Sequence, residues 1–153
     1  MLTINNVKKN YGRRLVLDQL NFHIEAGEIY GLLGPNGAGK TTTINLICNL
    51  LKPSSGEITF NYLPISRVTK ELIGVAPQEN LLYKSLTCEE NLNFFAQIYG
   101  LDRLQRRHRI KASLSAVNLL DRARSPVETL SGGMQRRREI AVGGVLLPCV
   151  LVL

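Results

Sequence analysis

A glycine-rich segment constrains this chain more than any other stretch, because its backbone needs dictate what precedes and follows it. The segment fits a single pattern of glycine, four residues, glycine, lysine and threonine. Its residues are Gly34, Pro35, Asn36, Gly37, Ala38, Gly39, Lys40 and Thr41. An apolar run over residues 28–33, typical of a buried strand, precedes it, and apolar residues at helical spacing follow it. The segment therefore predicts a strand, a tight loop and a helix.

The residue types in this loop suit the binding of phosphate. Glycines permit positive φ and let backbone N–H groups converge on an anion, toward which the next helix turns its positive end. Lys40 is placed to reach the β and γ phosphates, and the Thr41 hydroxyl to ligate Mg²⁺. The residues predicted to hold the nucleotide are Gly34, Asn36, Gly37, Ala38, Gly39, Lys40, Thr41 and Thr42. The loop by itself predicts that the chain binds a nucleoside triphosphate, and it does not indicate which reaction or partner is involved.

Alternating apolar residues at the start of the chain predict two antiparallel strands around a turn. The apolar positions are Leu2, Ile4 and Val7 before Tyr11 and Gly12, and then Leu15, Leu17, Leu20, Phe22 and Ile24. A helix is predicted over residues 43–51, and further strands over 57–60 and 72–76. A strand, a glycine loop, a helix and another strand indicate the beginning of a βαβ unit.

The second half of the chain has the periodicity of helices. Thr87 with Glu90 fits a capping box, and Asp102 is placed to cap a second, arginine-rich helix. A third helix is predicted to begin near Ser131 or Gly132. Its inward-facing residues are predicted to be Met134, Ile140, Ala141 and Val145. The predicted fold class is therefore α/β, with a helical segment inserted over residues 81–129.

A second motif narrows the interpretation. It is the run Leu130, Ser131, Gly132, Gly133, Met134 and Gln135. With this run and the glycine loop in order, the chain resembles the ATP-binding cassette family, the nucleotide-binding subunits of ABC transporters. The resemblance implies a P-loop NTPase core with an antiparallel β subdomain and an inserted α-helical subdomain, with the C-terminal part of the core missing from these residues. The implied domains are 1–80 (β subdomain and P-loop core), 81–129 (helical subdomain) and 130–153. The last contains the signature helix, which begins with the second motif, and the start of the next strand.

The resemblance also assigns roles to single residues, with ATP and Mg²⁺ as cofactors. Tyr11 stands where the family places an aromatic ring that stacks on adenine. Gln78 matches the glutamine that contacts Mg²⁺ and the attacking water, so Gln78 and Lys40 are the implied catalytic residues, and Thr41 and Gln78 the metal ligands. A head-to-tail dimer is implied, in which the nucleotide of the second nucleotide-binding subunit would be contacted by Ser131, Gly132 and Gly133.

Three short motifs of lower specificity resemble the exporter branch of the family. They are Pro77-Gln78-Glu79, Leu86-Thr87 and Glu90-Asn91-Leu92. The implied function is to bind Mg-ATP and couple its hydrolysis to export through separate transmembrane subunits. Residues 79–86 would include the surface that meets them, with a plain exposed loop as the alternative. No run approaches the roughly 20 apolar residues of a membrane span, and no targeting segment is recognised. We therefore expect a cytoplasmic chain, held peripherally at the inner face of the membrane by those subunits.

One departure from the family concerns hydrolysis. In relatives, the strand predicted here over residues 149–153 ends in Asp-Glu. The Asp holds Mg²⁺ through water, and the Glu acts as general base for the hydrolytic water. Alignment on Pro148 puts both positions after Leu153, together with a phosphate-sensing histidine. Because a general base typically contributes about 10²–10⁴ in rate, residues 1–153 are expected to hydrolyse ATP poorly. The alternative function is a non-catalytic nucleotide-binding module or an inert fragment.

Positive charge is concentrated in two predicted helices. The chain has 19 Lys and Arg against 12 Asp and Glu, a net charge of +7. Most of the excess falls in residues 102–111 and 136–139. Binding of nucleic acid or of anionic lipid is one interpretation of this charge. We favour a solvated helix face, because the arginines spread around the helix and no aromatic residues are interleaved for base stacking. Nucleic acid is therefore not an expected partner, nor is a DNA-repair or translation role.

The cysteines and one pair of glycines allow two further predictions. Cys48, Cys88 and Cys149 are odd in number and far apart, which predicts neither disulfides nor zinc, and all three are expected to be packing residues. Gly143 and Gly144 stand where relatives carry better helix formers. That pair is compatible with drift in a decaying sequence.

Overall fold

The computed structural model describes residues 1–65, 72–76 and 83–153, and the chain divides into the units Met1–Lys70 and Glu71–Leu153. The elements of the first unit are β1 (Leu2–Tyr11), β2 (Arg14–Ile24), α1 (Lys40–Ile47), β3 (Ser55–Phe60) and β4 (Leu63–Pro64). Those of the second unit are β5 (Ile73–Val75), α2 (Cys88–Ile98), α3 (Arg103–Ala116), α4 (Gly132–Gly144) and β6 (Val150–Val152), with 3-10 turns at Leu120–Arg122 and Val127–Thr129.

The alternating pattern at the start of the chain builds an antiparallel sheet in the order β2-β1-β3-β4. β1 and β2 pair from Leu2 opposite Ile24 to Tyr11 opposite Arg14. Gly12 supplies the left-handed φ of 59° in the tight turn between them. The buried apolar residues of this sheet are Leu2, Ile4, Val7, Leu17, Ile58 and Phe60. The predicted hairpin is therefore confirmed.

The apolar run over residues 28–33 does not form the predicted buried strand. Within the described ranges no strand pairs with it, and Ile29 and Leu33 are 98% and 93% exposed. Tyr30 stacks on Phe22 of β2, with ring centroids 4.8 Å apart. A strand of this kind needs neighbours at its edges and layers on both faces. The prediction was wrong because an apolar run shows what a segment can bury, and burial also requires a partner.

The predicted βαβ unit around the glycine loop is also wrong. β3 runs antiparallel to β1, with Leu2 opposite Phe60, so the chain after α1 joins the hairpin sheet. Parallel pairing occurs instead between β5 and β6, with Ile73 opposite Val150 and Val75 opposite Val152. This pair, with helices between its strands in sequence, confirms the strands predicted near residues 72–76 and 149–153 and the α/β class.

The three long helices of the second unit begin at the residues that the sequence predicts. The Thr87 side chain accepts a hydrogen bond from the Glu90 N–H (3.2 Å), and the Glu90 carboxylate accepts one from the Thr87 N–H (2.8 Å), which lowers the pKa of Glu90. Asp102 and Gln105 form the same reciprocal cap on α3. The helices enclose a core of Cys88, Leu92, Ala96, Ile110, Leu114, Leu119, Leu130, Ala141 and Val145. None of the described helices has the length and hydrophobicity to cross a bilayer.

A buried asparagine fixes the segment that leads into α2. The Asn91 amide donates to the carbonyls of Tyr83 and Thr87, each at 3.0 Å, and accepts from the Tyr83 N–H at 3.0 Å. The Tyr83 ring also meets Phe94 edge-on, with centroids 5.0 Å apart. A buried amide with several bonds orders the backbone around it. The described part of the predicted partner-facing loop, residues 83–86, is thus a fixed turn, and residues 79–82 lie outside the described residues.

The cysteines divide between the interior and the surface. Cys48 and Cys88 are buried, and their burial raises the pKa of both thiols. Cys149 is exposed, so its predicted packing role is wrong. All three are free thiols.

Several arginines predicted to be solvated contribute to the interior instead. Arg138 is 0% exposed beside the buried Glu139, and this burial lowers the pKa of the guanidinium. Arg136 donates to the Ala76 carbonyl (3.2 Å) and pairs with Glu139 (3.1 Å). Arg109 donates to the Leu146 carbonyl (2.9 Å) in the turn after α4. Spacing alone gave no sign of these partners, since they lie up to sixty residues away.

Gly143 lets α4 pack directly on β5. A Cβ placed on Gly74 would overlap the carbonyl oxygen of Gly143 and lie 2.6 Å from Pro148 Cγ. A Cβ on Gly143 would lie 3.0 Å from Leu151 Cδ1 and 3.1 Å from the Val75 carbonyl oxygen. A Cβ on Gly144 would meet open space among the described residues. Close approach of helix and strand, and not sequence drift, therefore accounts for Gly143.

Candidate functional site

The glycine loop of the first unit leads directly into α1. Gly37 and Gly39 adopt left-handed φ angles of 84° and 88°, which strain any residue with a Cβ. The Ala38 N–H donates to the Pro35 carbonyl (3.2 Å), and the Gly39 carbonyl accepts the Thr43 N–H (2.8 Å). Gly39 is the N-cap of α1. The loop thus makes the turn that its sequence predicts and ends at the N-terminus of a helix.

Lys40 lies in the first turn of α1 and reaches back over the loop. Its Nζ donates to the carbonyl oxygens of Gly34 (2.6 Å) and Pro35 (2.8 Å). Thr41 is exposed and Thr42 half-buried on the same turn. The first turn of α1 contains no acidic residue, so no carboxylate on this turn offsets the positive helix end. The ammonium therefore sits within the loop, held by neutral acceptors that a phosphate could replace.

The residues after this turn depart from the predicted helix. α1 ends at Ile47, before the predicted end at Leu51. Asn49 takes a left-handed φ of 51°, which stops the helix, and Leu50 is largely exposed. Thr43 and Leu46 are buried as predicted. The shorter helix still carries every predicted phosphate-binding residue from Lys40 to Thr42.

Leu17 of β2 supports the loop from the hairpin sheet. A Cβ placed on Gly39 would lie 2.5 Å from Leu17 Cδ2 and 3.3 Å from the Val16 carbonyl oxygen. Leu17 is itself buried. The alternation in β2 predicts that Leu17 is buried but does not reveal what it contacts. Sequence analysis therefore missed Leu17 as a residue that positions the loop.

This contact separates the roles of two loop glycines that share the same backbone strain. We expect Gly39→Ala to weaken binding of Mg-ATP about tenfold more than Gly37→Ala. Both substitutions place a side chain at positive φ, at a cost of about 1 kcal/mol. Only the alanine at position 39 meets Leu17, since no described residue other than its chain neighbours lies within 4 Å of a Cβ at Gly37. Titration calorimetry measures the affinities. Equal losses would contradict the role of Leu17, and Leu17→Ala should recover part of the loss in Gly39→Ala.

Tyr11 lies in the same unit as the loop, at the end of β1. Its side chain is 48% exposed. Lys9 Nζ lies 5.3 Å from the ring centroid, a cation–π distance, and donates to the Lys52 carbonyl (2.8 Å). Lys9 therefore contacts the Tyr11 ring, while about half of the side chain remains exposed to solvent. That exposure suits the stacking role implied by the family resemblance, which stays a prediction.

The second motif forms the start of α4 in the second unit. Ser131 is the N-cap, and its hydroxyl accepts the Met134 N–H at 3.3 Å. Gln135 ties this helix start to the preceding turn by donating to the Leu130 carbonyl (3.1 Å). Gly132 and Gly133 are exposed, and among the described residues outside their own helical turn no atom lies within 4 Å of a Cβ at either. Packing inside the chain therefore does not require glycine at these two positions.

The structure groups the predicted site residues in two sets. Gly34, Asn36, Gly37, Ala38, Gly39, Lys40, Thr41 and Thr42 form one loop and helix start, in the unit that also holds Tyr11. Ser131, Gly132 and Gly133 form a helix start in the other unit. Gln78 lies outside the described residues. Within the described ranges, no group of three His, Cys, Asp or Glu side chains is placed to hold a metal ion.

Left-handed glycines that open onto a helix N-terminus, with a lysine in its first turn, define a P-loop nucleotide-binding protein. The family model described as ABC transporter matches residues 17–153. The chain therefore belongs to the ABC transporter family, and the resemblance drawn from its motifs is confirmed.

Individual relatives agree with this assignment. The chain is 42% identical to the linearmycin resistance ATP-binding protein LnrL of Bacillus subtilis, with 100% of the chain covering 50% of that protein. It is 41% identical to the Nod factor export ATP-binding protein I of Sinorhizobium fredii, with coverages of 99% and 45%. The solved structure of cbiO1 from Clostridium perfringens, part of the ABC transporter complex cbiONQ, superposes with a TM-score of 0.89 at 31% identity over 98% of this chain and 63% of that one. The chain spans about half the length of the curated relatives it matches.

Proposed function

We propose that this chain is the nucleotide-binding part of an ABC exporter, which binds Mg-ATP in the loop from Gly34 to Thr42 and engages separate transmembrane subunits. The observation that carries the proposal is the geometry of this loop. Two left-handed glycines, an uncompensated helix N-terminus and the Lys40 ammonium converge on one exposed stretch of backbone. No neutral or cationic ligand matches that set of donors as well as a polyphosphate.

The residues present fit the triphosphate and its metal ion. Lys40 would exchange its two carbonyl acceptors for phosphate oxygens, and the Thr41 hydroxyl is exposed at the helix start. Mg²⁺, when bound, would neutralise charge on the phosphates. Thr41 and Gln78 would hold it, and Tyr11 would stack on the adenine. The chain's own contribution is thus to bind and orient the phosphates.

The start of α4 supports a head-to-tail partnership with a second nucleotide-binding subunit. Gly132 and Gly133 are exposed and face open space, although glycine costs helix stability relative to alanine by up to about 1 kcal/mol each. Ser131 caps the helix beside them. We infer that glycine at these positions permits close approach of a ligand from another molecule. That ligand would be the nucleotide on the partner subunit.

The names of the relatives support export as the direction of transport. One relative is named for export and the other for resistance, and the motifs that precede and begin α2 resemble the exporter branch. We infer that the chain serves an exporter and that the fixed turn over residues 83–86 belongs to the surface that meets the membrane subunits. Attachment through those subunits would place the chain at the inner face of the membrane.

Calorimetry and a phosphate-release assay on the 153-residue chain test the proposal together. We expect Mg-ATP to bind at micromolar to millimolar concentration, with AMP binding more weakly because it lacks the β and γ phosphates. We also expect little turnover from residues 1–153, because they do not include the two carboxylates that the resemblance implies. Absence of ATP binding by a folded chain would overturn the proposal. Turnover that disappears in Lys40→Ala would instead exclude the non-catalytic alternative.

A further inference from the structure

The exposed cations of α3 lie along one side of the helix. Arg103, Arg107 and Lys111 are spaced four residues apart, so they follow one another on a single helical face. All three are exposed. We call this set the α3 stripe. The arginines of this helix do surround its axis, as the sequence suggests, but the fully exposed cations share one direction.

Within the described ranges, no ion pair neutralises the stripe. Its three side chains form no ion pair and no hydrogen bond there, and α3 contains no Asp or Glu. Arg109 of the same helix differs, because it bonds to the Leu146 carbonyl and helps to hold the fold. The stripe therefore presents three positive charges that packing within the chain does not use.

Exposed apolar residues accompany these charges. Leu104 is 79% exposed and lies one turn before Arg107 on the same side of α3. Ile98 and Tyr99, at the end of α2 and just before α3, are also exposed. Cations that share a helical face with an exposed leucine match the chemistry of an interface between anionic headgroups and acyl chains. A single-stranded nucleic acid would instead favour aromatic rings between the cations, and the stripe has none.

We propose that the α3 stripe contacts the anionic phospholipid surface of a membrane directly. Arg103, Arg107 and Lys111 would pair with headgroup phosphates and carboxylates, and Leu104 would enter the headgroup region. This contact is with lipid itself, apart from any protein subunit. It needs neither nucleotide nor an intact glycine loop, so its failure and that of the proposed function are separate results.

Vesicle co-sedimentation of the 153-residue chain tests the proposal. We expect binding to vesicles of phosphatidylcholine with about one third phosphatidylserine, little binding to pure phosphatidylcholine, and weaker binding as salt rises. The triple variant Arg103→Gln, Arg107→Gln, Lys111→Gln should lose roughly 100-fold in partitioning, from about a fivefold effect for each charge. Leu104→Ser should weaken binding several-fold.

A charge-matched control is available in the same chain. Arg13→Gln, Arg14→Gln, Arg124→Gln removes the same three charges from exposed positions elsewhere and should change partitioning by less than about threefold. Thermal melts confirm that both triple variants are folded. The proposal is wrong if the two triple variants bind vesicles alike, if the unmodified chain ignores phosphatidylserine, or if a DNA or RNA oligonucleotide binds through the stripe while vesicles do not.

Discussion

Lys40→Ala lowers the affinity of this chain for Mg-ATP by about 100-fold. The substitution removes an ammonium that can donate to the β and γ phosphates, and hydrogen bonds to charged groups contribute about 1.5–3 kcal/mol each. Part of that gain is offset, because Lys40 gives up its bonds to the Gly34 and Pro35 carbonyls when phosphate binds. A net loss of about 3 kcal/mol corresponds to the stated factor. Titration calorimetry measures it.

AMP and a second lysine provide the controls for this experiment. AMP lacks the phosphates that Lys40 reaches, so its affinity should change by less than about threefold. Lys52→Ala removes an exposed cation of the same unit outside the loop and should leave ATP affinity nearly unchanged. If ATP and AMP lose affinity equally in Lys40→Ala, the substitution has distorted the loop, and the direct phosphate contact is disproved.

Gly74→Ala lowers the free energy of unfolding by about 2–3 kcal/mol. The added methyl group overlaps the backbone carbonyl of Gly143 and approaches Pro148, and backbone atoms of a helix cannot rotate aside as a side chain can. Overpacking of this kind costs typically about 1–3 kcal/mol. The signature helix α4 would have to move away from β5 to accommodate it. Chemical denaturation followed by circular dichroism measures the change.

Alanine at two nearby glycines should lower the free energy of unfolding less than Gly74→Ala does. Gly143→Ala places its methyl group 3.0 Å from a flexible leucine side chain, Leu151, and 3.1 Å from the Val75 carbonyl, so its cost should be smaller. Gly144→Ala meets open space and should be neutral or stabilising by up to about 1 kcal/mol, because alanine is the better helix former. An equal response at all three positions would show that close packing is not what selects glycine here.

Local features of the fold were predictable because their causes lie within a few residues. The caps at Thr87, Asp102 and Ser131 depend on side chains that reach N–H groups three residues away. The left-handed turns at Gly37 and Gly39 depend on the absence of a Cβ. For this reason the glycine loop and the start of α4 were identified correctly, along with the family to which the chain belongs.

Features that depend on distant partners were not predictable in the same way. The sequence predicts a buried strand over residues 28–33, yet Ile29 and Leu33 are exposed because no described strand pairs with them. It also predicts Arg138 to be a surface charge, yet Arg138 is buried beside Glu139. Leu17 showed only an apolar alternation, and its contact with Gly39 emerged from the fold.

The sequence by itself determined the order of the helices, their first residues and the two glycine-rich segments that begin α1 and α4, because short-range hydrogen bonding and backbone sterics are encoded by adjacent residues. Only the tertiary structure decided which charges are interior, that Gly143 lies against β5, and that Arg103, Arg107 and Lys111 remain exposed without partners among the described residues. Burial and charge neutralisation depend on groups brought together from distant parts of the chain, and sequence spacing carries little information about them.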